Sequence, residues 1–298
     1  MSEDRLERAL LSLDGLSIGD AFGQQFFASH VVAEAGPENP PLPPWKYTDD
    51  TEMAIALTET LRDCKSMDQD ALVQRLVERY QAEPYRGYGA GARRLFEDLA
   101  QGGSWKVLSR EMFGGSGSHG NGAAMRVAPL GAWYADDVDD VDQTIEHAAR
   151  SAEVTHTHPE AVVGAIAVAL AAGWAWRRES QPVEELLPWI ISHIDQSEVR
   201  RRLEWAATYP LDTWAFTIAS QVGNGIEISA QDTVPYCIWM SAAFLDDYSD
   251  AMWTAARVGG DIDTNCAIIG GIIAMNVGAD GISDQWRRSR EPLAWSSK

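Results

Sequence analysis

Two aspartates separated by one residue are the most concentrated acidic feature of the segment 259–266. Asp261 and Asp263 flank an Ile, the hydroxyl of Thr264 follows directly, and an apolar segment, 267–275, comes next. This pattern predicts a glycine turn that leads into the N-terminus of a buried helix. Oxygen ligands at this density suit Mg²⁺ or Mn²⁺. Helix capping by Asp263 or Thr264 is the alternative, and the segment alone leaves both interpretations open.

A second acidic group precedes the apolar segment 53–61. Asp49 and Asp50 lie between two threonines there. A capping box formed by Asp49 with Glu52 is one interpretation. The other is a second set of metal ligands that faces the first set across a helical core. Two divalent cations held in that way orient a substrate, polarise it and generate hydroxide from water.

The segment 114–122 is dense in glycine and precedes residues 123–126, which we interpret as a helix start. Glycines let backbone N–H groups close on an anion, and a helix N-terminus favours negative charge. The segment matches neither the dinucleotide-binding nor the Walker glycine pattern, so an ordinary flexible loop is the alternative. His156 is a further site candidate. His158, just before a proline, is equally well explained by local hydrogen bonds.

The charge of the chain restricts its partners. The 298 residues carry a formal net charge of −20, with 44 acidic against 24 basic residues. This balance argues against nucleic acid and anionic membranes as partners. The three cysteines lie far apart in sequence, which predicts reduced thiols in a cytoplasmic protein. We recognise no signal-peptide pattern. The apolar run 161–176 is shorter than the roughly 20 residues of a transmembrane helix and predicts a buried core helix.

Helical periodicity dominates the chain. Apolar residues recur at helical spacing, or fill a continuous apolar run, in segments 6–18, 52–61, 72–80, 92–99, 141–152, 186–194 and 234–245. The best strand candidate, residues 226–229, is too short to seed a sheet. We therefore predict an all-α fold, a compact multi-helix array forming one domain over residues 1–298. We expect a monomer.

Five segments, taken in order, resemble the ADP-ribosylglycohydrolase family, which includes the dinitrogenase reductase-activating glycohydrolases. They are residues 19–23 (Gly-Asp-Ala-Phe-Gly), 48–51 (Thr-Asp-Asp-Thr), 113–126, 155–156 (Thr-His) and 259–264 (Gly-Gly-Asp-Ile-Asp-Thr). The resemblance covers nearly the whole chain and implies an orthogonal all-α fold with two Mg²⁺ or Mn²⁺ ions. By position, the implied metal ligands are Thr48, Asp49, Asp50, Asp261, Asp263 and Thr264.

The resemblance also implies the reaction and the substrate. The substrate is an ADP-ribosylated protein or a small molecule containing ADP-ribose, and the bond cleaved joins the C1″ carbon to an arginine nitrogen or a serine oxygen. The residues implied to surround the pyrophosphate and the adenosine are Phe113, Gly115, Gly117, Ser118, His119, Gly120, Asn121 and Gly122. His156 is implied to contact a phosphate. We expect Asp261 to accept a proton from the attacking water, with Asp50 as the second catalytic acid.

One departure from the family pattern affects the functional prediction. Many members carry a Glu shortly after the Gly-Asp-x-x-Gly motif, whereas here residues 24–28 read Gln-Gln-Phe-Phe-Ala, with no acid before Glu34. Either another acid takes that role or the activity is altered. The alternatives to an enzyme are therefore an ADP-ribose-binding protein and a structural relative of the same fold. We also expect His119 to replace an aromatic residue that packs on the ligand.

Overall fold

The computed structural model describes residues 2–28, 31, 34–136, 141–179 and 181–295. In chain order the α-helices are α1 (Ser2–Gln24), α2 (Asp49–Cys64), α3 (Gln69–Ala82), α4 (Ala90–Ala100), α5 (Trp105–Gly115), α6 (Ala128–Trp133), α7 (Val141–Glu153), α8 (Pro159–Arg177), α9 (Leu186–His193), α10 (Glu198–Ala206), α11 (Ala215–Val222), α12 (Ala230–Ala243), α13 (Tyr248–Val258), α14 (Ile262–Val277) and α15 (Asp284–Ser289). Short 3₁₀ turns lie at Gln25–Phe27, Asn121–Ala123, Val183–Glu185 and Ala279–Gly281.

The all-α prediction is confirmed, since within the described residues only isolated bridges, and no paired strands, occur. The strand candidate at residues 226–229 is wrong. The N–H of Ile228 donates to the carbonyl of Gly225 at 2.8 Å, which closes a turn. Positive φ angles at Gly225 (+86°) and Ile228 (+51°) interrupt an extended backbone. Ser229 forms a single bridge with Gly120.

Glycines on α1 allow it to contact α14 backbone to backbone. A Cβ atom at Gly19 would lie 2.2 Å from the carbonyl oxygen of Cys266, and one at Gly23 would lie 2.8 Å from the Cα of Asp263. Only a residue without a Cβ tolerates such an approach. Because these glycines flank Asp20, this glycine seam holds Asp20 at a fixed distance from the first turn of α14.

Helix α8 lies in the core between α7, α12 and α14. By length and composition it resembles a membrane-crossing helix, but 78% of its apolar window is buried inside the fold. Burial by neighbouring helices is what the prediction of a core helix requires.

The glycine-rich segment follows α5 and differs from the predicted helix start. The end of α5 leaves the helical conformation, with a φ of +52° at Phe113. Asn121–Ala123 form a 3₁₀ turn, and α6 begins only at Ala128, so the prediction of a helix start at residues 123–126 is wrong. Pro129 explains the later start, because its fixed φ and missing N–H suit the first turn of a helix.

Candidate active site

Asp20, buried on α1, joins this helix to α2. Its carboxylate accepts hydrogen bonds from the backbone N–H groups of Thr48 (2.9 Å) and Thr51 (3.1 Å) and from the Thr51 hydroxyl, and the Thr48 hydroxyl oxygen also lies within hydrogen-bond distance. All three residues are buried. The hydrogen bonds fix the start of α2 relative to α1, and they therefore fix the position of Asp50.

Three carboxylates from three helices meet at one point. One carboxylate oxygen from each of Asp20, Asp50 and Asp263 lies within 4.8 Å of the other two. This spacing suits ligands that share a divalent cation. The structure thus brings an early and a late acidic group together, as the sequence predicts, and adds Asp20, which the sequence analysis did not assign to the site.

The capping alternatives do not account for these acids. The N-cap of α2 is Thr48, whose hydroxyl accepts a backbone hydrogen bond. Glu52 pairs with Arg79 at 2.8 Å rather than forming a capping box with Asp49, so that interpretation is wrong.

Neither Asp263 nor Thr264 is the N-cap of α14; Asp261 occupies that position, and its side chain accepts no capping hydrogen bond. Asp263 Oδ1 accepts the N–H of Thr264 at 2.9 Å inside the first turn, which does not explain why its carboxylate lies beside those of Asp20 and Asp50.

The acidic cluster carries more negative charge than its hydrogen bonds satisfy. The Thr48 hydroxyl oxygen lies 2.9 Å from Asp20 and 2.8 Å from Asp50, but its single proton can bond to only one of them at a time. Asp50 Oδ1 is buried without a hydrogen-bond partner. An unpartnered buried carboxylate oxygen is unfavourable. A divalent cation would supply the missing positive charge, so the residues present fit a metal ion.

Asp261 is held by the glycine-rich segment. The side-chain amide of Asn121 donates to Asp261 Oδ2 at 2.7 Å and to the Thr233 hydroxyl at 3.0 Å. The backbone N–H of Asp261 donates to the carbonyl of Asn224 at 3.3 Å. Asn121, predicted to bind substrate, therefore also joins the predicted anion-binding segment to the acidic cluster.

The cleft beside the cluster has a volume of about 440 Å³, and its wall includes Asp49, Asp50, Asp261 and Asp263 but not Asp20. This volume is typical of small-molecule sites. The predicted site residues that line the cleft are Asp49, Asp50, Phe113, Ser118, His119, Gly120, Asn121, Gly122, His156, Asp261, Asp263 and Thr264. Three predicted site residues do not line it. Thr48 bonds to the acids, a Cβ added at Gly115 would meet nothing within 4 Å, and Gly117 packs so closely on Thr157 that a Cβ would lie 2.3 Å from its hydroxyl. Among the described residues that line the cleft, none is Lys or Arg.

His156 and His158, close together in sequence, have different roles. His156 is buried and lines the cleft, and its Nδ1 lies 2.7 Å from the Thr155 hydroxyl. Burial lowers the pKa of His156 to about 3, so its ring is neutral at physiological pH. His158 is the N-cap of α8, and its Nδ1 accepts the N–H of Glu160 at 3.2 Å. The local hydrogen-bond interpretation of His158 is confirmed.

Burial and mutual repulsion make the acidic carboxyls hard to ionise. Burial raises the pKa of Asp20 to about 6. Burial, with the nearby charge of Asp20, raises the pKa of Asp49 to about 7. The same two causes raise the pKa of Asp50 well above its usual value, and burial with the charge of Asp261 does so for Asp263. Each charge in the cluster is therefore unfavourable unless a cation balances it.

We expect the metal-free protein to lose stability as the pH rises from 5 to 8. An unfolded Asp ionises near pH 4, whereas Asp20 and Asp49 ionise near 6 and 7 in the fold. The folded state thus binds more protons across this window, so its free energy of unfolding falls as the pH rises. Thermal unfolding in EDTA across this range measures the effect, and added Mn²⁺ should restore stability most at pH 8. An unfolding midpoint that stays constant or rises with pH would contradict this expectation.

Asp20 is the main site residue that sequence reasoning did not assign. The sequence does carry a signal for it, because Asp20 is the single charged residue in the stretch 16–23, which otherwise consists of apolar residues, glycines and one Ser. An acid at a core position is rare unless it is paired or coordinates a metal. Its threonine partners lie about thirty residues away in sequence, so no local pattern reveals them.

Comparison with known proteins gives a consistent result. The model of the family described as ADP-ribosylglycohydrolase matches residues 1–296. The ADP-ribosylhydrolase ARH3 of Homo sapiens is 31% identical over 278 residues, covering 82% of this chain and 74% of that protein. An uncharacterized protein of Archaeoglobus fulgidus is 28% identical, covering 95% and 90% of the two chains. A solved structure titled ADP-ribosylglycohydrolase-related protein complex has a TM-score of 0.70 and 26% identity, covering 97% and 94%.

Proposed function

Because this chain belongs to the ADP-ribosylglycohydrolase family of glycosidase-type hydrolases, we propose that it is a metal-dependent ADP-ribosyl hydrolase. It cleaves the bond between the C1″ carbon of ADP-ribose and a protein side chain, either an arginine nitrogen or a serine oxygen. The observation that carries the proposal is the meeting of Asp20, Asp50 and Asp263 beside a cleft lined by the glycine-rich segment. The family match over residues 1–296 supports treating the chain as one domain.

The acidic cluster would supply the ligands for two Mg²⁺ or Mn²⁺ ions. Asp50 and Asp263 would be the central ligands, because each lines the cleft and each has a carboxylate oxygen close to the other. Asp49, Asp261 and Thr264 line the same wall. When bound, such cations orient sugar hydroxyls and lower the pKa of a water molecule to near neutrality.

Asp261 is the residue that accepts the proton of the attacking water. Burial raises the pKa of its carboxyl, which suits a general base, and the Asn121 amide, donating to Oδ2, fixes the carboxylate. In the reaction the oxygen of water bonds to C1″, the bond from C1″ to the side chain breaks, and a proton passes to the departing nitrogen or oxygen. Positive charge on the sugar at the transition state is stabilised by the surrounding carboxylates.

The other parts of the cleft fit the remainder of ADP-ribose. Gly120 and Gly122 present backbone beside the neutral His156, a surface able to bind a diphosphate without a Lys or Arg side chain. Phe113 and His119 lie at the open edge with nearly parallel rings, 6.3 Å between centroids. A flat base can stack against either ring.

Release of ADP-ribose from defined linkages tests the proposal. The protein is incubated with peptides carrying arginine-linked or serine-linked ADP-ribose, with Mg²⁺, with Mn²⁺ and with EDTA, and free ADP-ribose is quantified. We expect release from one of the two linkages with metal and none with EDTA. Absence of release from both linkages under both metals would overturn the proposed activity.

The position of Phe27 favours one alternative, an ADP-ribose-binding protein that does not cleave. Phe27 ends the 3₁₀ turn Gln25–Phe27 with 53% of its surface exposed, in the run where the family pattern carries a Glu. Calorimetry with ADP-ribose alongside the release assay separates the two functions. Tight binding without turnover would identify the binding protein.

A Phe27→Glu variant sharpens this distinction, with Phe27→Gln as the uncharged control. The exposed position tolerates both changes. If the existing acids already perform the proton transfers, we expect Phe27→Glu to raise turnover by less than about tenfold, well below the 10²–10⁴-fold typical of an acid–base residue. A larger gain, absent from Phe27→Gln, would mean that the natural protein lacks an essential acid.

A further inference from the structure

Behind the glycine-rich segment, three buried side chains form a chain of hydrogen bonds that ends in the cleft. An Nη1 hydrogen of Arg126 donates to the Thr155 hydroxyl oxygen, with 3.1 Å between the atoms. The same oxygen lies 2.7 Å from Nδ1 of His156. Arg126 is 0% and Thr155 3% exposed, so bulk water does not satisfy their polar groups, whereas His156 is 9% exposed and lines the cleft.

The chemistry of Arg126 fixes the direction of every proton in this chain. A guanidinium has only donors, so the Thr155 oxygen must accept from Arg126. The remaining partner of that hydroxyl is Nδ1 of His156. If Nδ1 carried a proton, the buried Thr155 proton would have no acceptor among its described partners, which is unfavourable. The hydroxyl therefore donates to Nδ1, and the proton of the neutral imidazole resides on Nε2.

The glycine-rich segment determines where that Nε2–H group lies. A Cβ at Gly120 would be 3.3 Å from Nε2, and one at Gly122 would be 3.1 Å from it. Both glycines and His156 line the cleft. Arg126 also donates to the carbonyl of Gly122 at 3.2 Å, so it holds the backbone of one of the two glycines beside the ring.

We propose that Arg126 and Thr155 are positioning residues that hold His156 in the Nε2–H tautomer, so that a neutral imidazole donates a hydrogen bond to the diphosphate of the substrate. The identity of the ligand rests on the proposed function, but the tautomer does not. Ring nitrogens bearing a lone pair repel phosphate oxygens, so the opposite tautomer would weaken binding at the same position.

This arrangement explains how a cleft with no described Lys or Arg in its lining can bind an anion. Burial, together with the charge of Arg126, lowers the pKa of His156 to about 3. Burial also lowers the pKa of Arg126, to about 9, which leaves it protonated at neutral pH. The donor is therefore present across the physiological range and does not depend on a charged histidine.

Nitrogen NMR of the whole protein tests the tautomer without any ligand. Histidine labelled with ¹⁵N gives different shifts and couplings for protonated and unprotonated ring nitrogens, and a His156→Gln variant assigns the signals. We expect Nε2 of His156 to be protonated, Nδ1 to be unprotonated, and the pattern to be unchanged from pH 5 to 8. A proton on Nδ1, or on both nitrogens, would overturn the proposal.

Paired variants of Thr155 test the consequence for binding. Thr155→Val keeps the volume but removes the hydroxyl, whereas Thr155→Ser keeps the hydroxyl. With Thr155→Val we expect the Kd for ADP-ribose and the KM to rise about tenfold, equivalent to about 1.4 kcal/mol. With Thr155→Ser we expect values near those of the natural protein. Because His156 contacts the diphosphate and not the scissile bond, kcat should change by less than about twofold in either variant.

Three other results of the variant experiment would refute the positioning role of Thr155, and one would refute the proposed function. An unchanged Kd in Thr155→Val, or an equal loss in Thr155→Ser, would refute the positioning role. A fall in kcat at unchanged KM would also refute it. If the natural protein binds no ADP-ribose, the proposed function is refuted, and the NMR result still decides the tautomer. Substituting Arg126 itself is avoided, because its three hydrogen bonds are buried.

Discussion

Asp50→Asn is expected to lower ADP-ribosyl hydrolysis by more than about 100-fold, above the range seen when only the groups that orient metal ligands are changed. The same substitution is expected to stabilise the metal-free protein. Asp50 forms one side-chain hydrogen bond, to Thr48, and its Oδ1 has no partner. Burial and the charges of Asp20 and Asp263 raise its pKa. Removing the charge therefore relieves more repulsion than the lost hydrogen bond had offset.

Two measurements on the same variant test this expectation. Release of ADP-ribose under saturating Mg²⁺ or Mn²⁺ gives the loss of activity, and thermal unfolding in EDTA gives the stability. A gain of about 1 kcal/mol would raise the unfolding midpoint by roughly 2–4 °C in a domain of this size. Asp280→Asn removes an exposed acid outside the cleft and is the control. Retained activity would show that Asp50 is not an essential metal ligand. A lower midpoint in EDTA would show that its charge does not destabilise the metal-free protein.

Asp20→Ala is expected to have the opposite effect on stability, lowering the free energy of unfolding by about 2–4 kcal/mol with or without metal. Asp20 accepts three hydrogen bonds that it shares with no other acid, from the N–H groups of Thr48 and Thr51 and from the Thr51 hydroxyl, and it competes with Asp50 for the Thr48 hydroxyl proton. Burial raises its pKa to about 6, so the carboxyl is mostly ionised at neutral pH and accepts these hydrogen bonds. The sign of the stability change depends on how many buried donors lose their acceptor. This number is larger for Asp20 than for Asp50.

Urea unfolding in EDTA and in Mg²⁺ measures this loss. Ser12→Ala is the matched control, because Ser12 is buried on α1 and makes a single hydrogen bond, to the carbonyl of Gly271. We expect the control to lose about 1 kcal/mol. Hydrolysis should also fall in Asp20→Ala, since the start of α2 loses its attachment to α1. Equal losses of stability in the two variants would contradict this account of Asp20.

The sequence predicts the all-α fold, many of its helices and the acids, because these leave local patterns, but it does not indicate the helices Trp105–Gly115, Glu198–Ala206, Ala215–Val222 and Tyr248–Val258. Asp261 and Asp263 precede an apolar segment, Asp49 and Asp50 precede another, and each segment forms a buried helix. Their approach to each other depends on the contact of α1 with α14, where Gly19 meets the backbone of Cys266. A glycine in a helix is visible in a sequence, but its partner two hundred residues later is not.

Among the sequence predictions that are wrong, the capping box fails for this reason. Glu52 suits a capping box by its spacing from Asp49, but a tertiary partner, Arg79, binds it instead. The residues after the glycine-rich segment suit a helix start, but they form a turn in which Arg126 reaches the carbonyl of Ser151. Local propensity is a weak guide wherever a long-range hydrogen bond is available.

The glycine seam has a consequence for synthesis on the ribosome. Translation produces Asp20 about 240 residues before Asp263. The face of α1 that packs on α14 therefore stays unburied until most of the chain has been synthesised. Until then the small-residue face of that helix is available to chaperones or to mispairing. No nascent chain that lacks the late helix can assemble the acidic cluster, so capture of an ion there would report that a newly made molecule has finished folding.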